Sequence, residues 1–207
     1  MYVPDFMKLE NARKDELLYI IKRTKNFLRR LKREMEDFSY RYKDEVSPSK
    51  LTIYHCEKSF LRQAVLKHLT LGGNYEMDRT EKKDYEFTES IHDIVKITHE
   101  TSGFFTPSEI TVVDLNNNGY KILKGERDYL CEFITENSRE DFLLEFEDLH
   151  VGEWKKYYSS NVLDGTQWNL TIEYANGSKR EFGGSSAYPY NYCELANLLH
   201  FDFDIHD

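Results

Sequence analysis

A stripe of apolar residues near the N-terminus constrains the fold more than any other feature of the sequence. Its members are spaced alternately by four and three positions: Leu17, Ile21, Thr24, Leu28, Leu31, Met35, Phe38 and Tyr42. This is the spacing of the a and d positions of a coiled coil, sustained over more than three heptads. The first helix-breaking pair is Ser47-Pro48. The pattern therefore predicts one helix from about residue 11 to about residue 44.

A helix with this stripe must be covered, because an exposed row of large apolar side chains promotes aggregation. Three surfaces could cover it: the helix predicted around Phe60–Leu69, a second copy of the chain, or the acidic remainder of the chain. We therefore predict a protein partner or self-association through the seam, whose residues are Leu17, Ile21, Leu28, Leu31, Met35 and Phe38.

The residues between the seam positions are strongly basic. Residues 1–43 carry twelve Lys and Arg against seven Asp and Glu, whereas the remaining residues carry sixteen against thirty. Such an asymmetry indicates that the basic segment meets something acidic, which is nucleic acid, another protein or the rest of the chain. The candidate basic surface consists of Lys22, Arg23, Lys25, Arg29, Arg30, Lys32 and Arg33.

The chain is predicted to be an α+β protein, with the long N-terminal helix in front of an antiparallel-sheet body with two or three packed helices. We divide it into a helical region (1–73), a polar, aperiodic connector (74–90) and the body (91–207). Residues 51–56 fit either a helix or a strand. In the body, Asn116–Gly119 predicts a hairpin turn, and Trp168–Tyr174 alternates like a half-buried strand. Ser138 and Pro189 mark the starts of two helices.

The C-terminus carries the candidate metal ligands. In an extended chain, alternate residues share one face, and here these are His200, Asp202, Asp204 and His206. Imidazole and carboxylate groups together can bind zinc. An edge strand with one polar face shows the same alternation, and we favour that interpretation. We predict no metal, no cofactor and no catalytic residue, and lean against an enzyme.

The cellular compartment follows from what the sequence lacks. No apolar run approaches the ~20 residues that span a bilayer. The first residues do not have the pattern of a secretory signal. The three cysteines are too far apart in sequence for a zinc or redox motif. We therefore expect a cytoplasmic protein with no membrane association.

A resemblance covers roughly half of the chain, from Ile91 to Leu199. It rests on residues 99–105 (HETSGFF), on Trp154, on residues 162–174 (VLDGTQWNLTIEY), and on residues 184–192 (GSSAYPYNY). In these features the chain resembles a family of small bacterial proteins and lipoprotein domains that has no assigned activity. The resemblance implies a shared fold of the body and nothing catalytic. Residues 9–17 (LENARKDEL) look like N-terminal helices of phage and mobile-element proteins.

Two hypotheses of function follow, with a third kept open. The first is a protein-interaction module, such as a regulator or inhibitor of phage or mobile-element type. The second is a nucleic-acid-binding accessory protein that uses the basic helix, which the overall acidity of the chain disfavours. The third is an enzyme of unknown class.

Overall fold

The computed structural model describes residues 4–37, 47–103, 108–115, 119–126, 128–136, 138–161 and 165–203. Over these ranges the helices are α1 (Met7–Glu10), α2 (Lys14–Met35), α3 (Lys50–Thr70), α4 (Arg79–Glu89), α5 (Arg139–Asp148) and α6 (Tyr192–Leu199). The strands are β1 (Ile94–Ser102), β2 (Glu109–Leu115), β3 (Tyr120–Glu126), β4 (Tyr129–Glu136), β5 (Tyr157–Ser159), β6 (Gln167–Tyr174) and β7 (Lys179–Ser185). The predicted α+β class is confirmed. Every helix in the described ranges is too short or too polar to serve as a membrane span.

The chain forms two compact units, which divide between Met77 and Asp78. We call the first, which contains α1 to α3, the helical unit. We call the second, which contains the whole sheet and α4 to α6, the sheet unit. The helical unit carries sixteen Lys and Arg against eleven Asp and Glu, and the sheet unit twelve against twenty-six. The charge asymmetry of the sequence therefore coincides with the division of the structure.

The seam of α2 is buried against α3. Leu17, Ile21, Thr24, Leu28, Leu31 and Met35 are each at most 8% exposed. Leu17 and Ile21 share a core cluster with Phe60 and Ala64 of α3. Lys14 at the start of α2 donates to the carbonyl oxygen of Gly72 beyond the end of α3, so the two helices run antiparallel. Of the three covers that the sequence left open, the helix around Phe60 is the one observed, and residues 51–56 belong to it.

Helix α2 is shorter than predicted. It ends at Met35, where the N–H of Glu36 closes the last turn on the carbonyl oxygen of Lys32 at 3.0 Å. Glu34, Glu36 and Asp37 crowd this end with negative charge, which the negative end of the helix dipole disfavours. Of the predicted seam, Phe38 and Tyr42 lie outside the described residues.

The predicted connector 74–90 contains the division between the two units, but most of it is helical, because residues 79–89 form α4. Asp78 begins this helix by accepting the N–H groups of Thr80 and Glu81, at 3.0 and 3.1 Å. The carboxylate of Glu81 in turn accepts the N–H of Asp78 at 2.7 Å. This is a capping box, which the sequence Asp-Arg-Thr-Glu signals. Phe87 is completely buried and fixes the helix to the core of the sheet unit.

The seven strands form one sheet in the order β4-β3-β2-β1-β6-β7-β5. All neighbours are antiparallel except β5 and β7, which are parallel. The predicted hairpin is confirmed by the pairing of Leu115 with Tyr120, although residues 116–118 lie outside the described residues. Ile97 of β1 stands opposite Val113 of β2 on one side and Ile172 of β6 on the other. The apolar residues of the central strands thus align into one core-facing layer.

Aromatic rings fill the core beside β6. Trp168 is 1% exposed, and its indole N–H donates to the carbonyl oxygen of Ala187 at 2.8 Å. Its ring meets those of Trp154, Tyr158, Tyr188 and Tyr192, with centroids 4.9 to 6.3 Å apart. The sequence predicts that Trp154 and Trp168 are buried between the hairpin and the helix that begins near Ser138. Their burial is confirmed, but the rings around Trp168 do not belong to that helix. The rings come from the segments around β5 and α6.

We expect Trp168→Ala to lower the free energy of unfolding by about 3–5 kcal/mol, because it leaves a large cavity and an unpaired carbonyl. Urea denaturation followed by circular dichroism measures the loss. Tyr157→Ala is the matched control, since Tyr157 is 56% exposed, and it should stay within about 0.5 kcal/mol. An unchanged midpoint for Trp168→Ala would contradict the structural role.

His99 is a buried histidine in β1. It is 1% exposed, it lies 2.6 Å from the hydroxyl of Tyr192, and its ring stacks on Phe201 with centroids 3.8 Å apart. Burial disfavours the charged imidazolium and lowers the pKa of His99 to about 3. The ring is therefore neutral in the folded protein at neutral pH.

Acid should destabilise the sheet unit through this histidine. Since the folded pKa lies below the ordinary value of 6.5, the unfolded chain binds the proton first. The stabilisation is complete above pH 6.5 and is lost as pH falls towards 3. We expect the loss to be about half of 1.4 kcal/mol per pH unit at pH 6.5 and to approach about 1.4 kcal/mol per pH unit one unit lower. His99→Gln should reduce this slope in denaturation curves between about pH 6.5 and 5; an identical slope would rule out a buried neutral His99.

Candidate functional site

The helical geometry of α2 places six of the seven predicted basic residues in two groups, on different sides of the seam. Lys22, Lys25, Arg29 and Arg33 follow one another at three or four positions, so they form one row along the helix, which we call the basic stripe. Arg23 and Arg30 lie on the opposite flank. Lys25 and Lys32 are half-buried, and the other five are exposed. The spacing in the sequence contains this division, but only the structure shows which side borders a groove.

The opposite flank is engaged within the helical unit. Glu34 accepts from Lys50 at 2.7 Å and lies 3.6 Å from the guanidinium of Arg30. Arg30 also covers the ring of Phe27, 5.1 Å from its centroid. The charges of this flank are thus partly matched by a carboxylate from the same helix.

The basic stripe borders a groove with a volume of about 420 Å³. One wall is α2 and the other is the chain after α3; the lining residues are Leu18, Ile21, Lys22, Lys25, Asn26, Arg29, Asn74, Tyr75 and Glu76. Lys25 donates to the hydroxyl of Tyr75 at 3.1 Å, and its ammonium lies 5.2 Å from the centre of that ring. Arg29 donates to the side-chain oxygen of Asn26 at 3.1 Å. Leu18 is 45% exposed and adds an apolar patch.

A buried histidine holds the second wall in place. His68 of α3 is 1% exposed, and its two ring nitrogens lie 3.2 Å from the carbonyl oxygens of Lys14 and Asn74. The ring thereby lies between the start of α2 and the segment after α3. A Cβ at Gly73 would stand 2.2 to 2.4 Å from this ring, so only glycine fits there. The Gly72-Gly73 pair ends α3 and also lets the chain pass close to His68.

The seam itself is not a binding surface. Leu17, Ile21, Leu28, Leu31 and Met35 are buried within a single chain, so the predicted partner or self-association through them is wrong for these residues. Phe38 lies outside the described residues. The physical reason is that α3 returns antiparallel to α2 within the same chain and covers the apolar seam.

The C-terminal metal candidates are not assembled in the described residues. His200 is the left-handed C-cap of α6, and its carbonyl oxygen accepts from Lys124. Asp202 is exposed, while Phe201 and Phe203 on either side pack against the core. Asp204 and His206 lie outside the described residues. Neither His200 nor Asp202 belongs to a described group of three or more metal-ligating side chains.

Asn74, Tyr75 and Glu76 are not among the predicted site residues, because the sequence pattern placed them in the connector. The sequence did contain a signal for them. When two consecutive helices pair antiparallel, the residues after the second helix lie beside the start of the first. Comparison of the chain with protein-family models, curated proteins and solved structures finds no match. The resemblance of residues 91–199 to an uncharacterised bacterial family therefore stays a prediction.

Proposed function

We propose that this protein is an interaction module of the regulator or inhibitor kind. In this proposal, the groove of the helical unit binds an acidic, partly apolar segment of a partner protein. The phage or mobile-element setting stays a prediction that rests on the resemblance of residues 9–17. The observation that carries the proposal is the basic stripe beside an aromatic and apolar groove.

Charge supports an acidic occupant. Between Lys22 and Arg33 the helix carries seven basic residues and no acidic one. Lys22 and Arg23 form no ion pair with any other residue that the structure describes. Such a row attracts an acidic segment and speeds its association, an effect that salt weakens.

The composition of the groove favours a peptide over a phosphate backbone. Leu18 and Tyr75 offer apolar surface, which an amphipathic segment with leucine or phenylalanine side chains buries on binding. Glu76 also lines the groove, and its carboxylate repels an evenly charged polyanion. A peptide avoids this repulsion by placing an uncharged side chain opposite Glu76. The net charge of -9 for the whole chain also repels a highly charged phosphate backbone more than a peptide.

Two matched double variants of the full chain test the proposal. Lys22→Gln with Arg29→Gln removes two charges from the basic stripe, and Arg23→Gln with Arg30→Gln removes two from the opposite flank. Glutamine keeps the helix propensity, so both variants should fold. We expect the stripe variant to bind a fluorescein-labelled peptide of glutamates interspersed with leucines about tenfold more weakly, because each lost ion pair is worth about 0.5–1 kcal/mol. The flank variant should bind it like the wild type. Fluorescence anisotropy measures both affinities.

A labelled DNA duplex, titrated in parallel at a physiological ionic strength of about 0.15 M, separates the two macromolecular classes. Tighter binding of the duplex than of the peptide would overturn the proposal in favour of nucleic acid. Equal losses in both double variants would also overturn it, since they would show attraction by net charge without use of the groove.

A further inference from the structure

Three side chains in the sheet unit converge although the sequence separates them widely. They are Asp84 on α4, His150 after α5, and Glu153 in the short 3₁₀ turn Val151–Glu153. The Nδ1 atom of His150 lies 2.7 Å from Oδ2 of Asp84. One ligand atom from each residue lies within 4.8 Å of the other two. The side chains of His150 and Asp84 are 17% and 14% exposed, so the cluster is enclosed yet reachable from solvent.

The turn that carries His150 and Glu153 is seated tightly on α4. His150 adopts the left-handed conformation, with φ at 49°, and this reverses the chain after α5. Gly152 then lies directly over α4, where an added Cβ would stand 2.5 Å from the Cα of Asp84. Glycine at this position is what allows the turn to approach the carboxylate.

Asn191 fastens both ends of the same turn. It is completely buried; its side-chain N–H donates to the carbonyl oxygen of Leu149 at 2.7 Å, and its oxygen accepts from the indole of Trp154 at 3.0 Å. Phe87, also completely buried, fixes α4 three residues beyond Asp84. The three side chains are therefore presented by two fixed elements, as a preorganised binding site requires.

The composition of the cluster points to a cation. The Asp84–His150 contact alone would be an ordinary side-chain hydrogen bond. Glu153 brings a second carboxylate to the same place, and two carboxylates in a partly desolvated site repel each other. A divalent cation among the three side chains converts that repulsion into attraction.

We propose that Asp84, His150 and Glu153 bind a divalent transition-metal ion, with zinc as the best match. Zinc accepts imidazole nitrogen and carboxylate oxygen together at about 2.0–2.2 Å, whereas magnesium and calcium prefer oxygen ligands alone. Tetrahedral ligands at that range stand about 3.4 Å apart, so binding would separate His150 from Asp84 slightly and bring the Glu153 carboxylate closer to both. Three protein ligands leave a fourth position for water or another ligand. The site uses no residue of the groove and is independent of the proposed function.

Isothermal titration of zinc into the metal-stripped full chain tests this proposal, in a Cys131→Ser background because that thiol is exposed. We expect one zinc ion per chain in addition to any weaker sites. His150→Asn should lower the zinc affinity of this site more than about tenfold. Even the loss of a residue that only hydrogen-bonds to a metal ligand lowers metal affinity about 10–100-fold. Asparagine tolerates the left-handed conformation, so the turn should keep its shape.

The matched control is His92→Asn. His92 also pairs with a carboxylate, that of Glu140 at 3.6 Å, but both side chains are more than 60% exposed. This control should leave zinc binding unchanged. Glu153→Gln is a second test variant, which should disturb folding less than His150→Asn and should also weaken zinc binding. Equal binding by wild type and both cluster variants would overturn the proposal, as would the absence of stoichiometric binding or displacement of zinc by excess magnesium.

Discussion

Burial of the apolar seam of α2 against α3 is the interaction on which the helical unit depends. The seam occupies only a narrow strip of α2, so most of the helix surface must be soluble, and the sequence meets that need with lysine and arginine. The same antiparallel pairing decides where the chain goes after α3. It returns residues 74–76 to the first half of α2, and His68 holds them there through the carbonyl oxygens of Lys14 and Asn74. The groove is thus a consequence of how the seam is covered.

The features that could be predicted from sequence are those set by local chemistry or simple periodicity. The burial of Leu17 to Met35 follows from heptad spacing, and the β2–β3 hairpin follows from an Asn-Gly turn. The misplaced elements depend on tertiary partners or on signals too short to stand out. Helix α2 ends at Met35 although the apolar spacing of the sequence continues to Tyr42, β5 is three residues long and pairs in parallel with β7, and α4 shows only one fully buried side chain, Phe87.

The candidate sites show the same limit more sharply. The sequence identifies seven basic residues on one helix, but it does not show that residues 74–76 line a groove beside one group of them. The cluster of Asp84, His150 and Glu153 joins residues 66 positions apart. Its assembly requires a left-handed histidine, a glycine seated on α4, and the clamp of Asn191. No regular spacing in the sequence predicts this cluster, whereas the side-chain contacts in the folded chain show it directly.

The central claim is that the groove beside the basic stripe is the binding surface. Amide chemical-shift mapping tests it most directly, with the isotopically labelled full chain titrated with an acidic peptide of glutamates and leucines. If this groove binds the peptide, the largest chemical-shift changes fall on Leu18 to Arg29 of α2 and on Asn74 to Glu76. Shifts centred on Arg23, Arg30 and Lys50, or on the strands of the sheet unit, would contradict it.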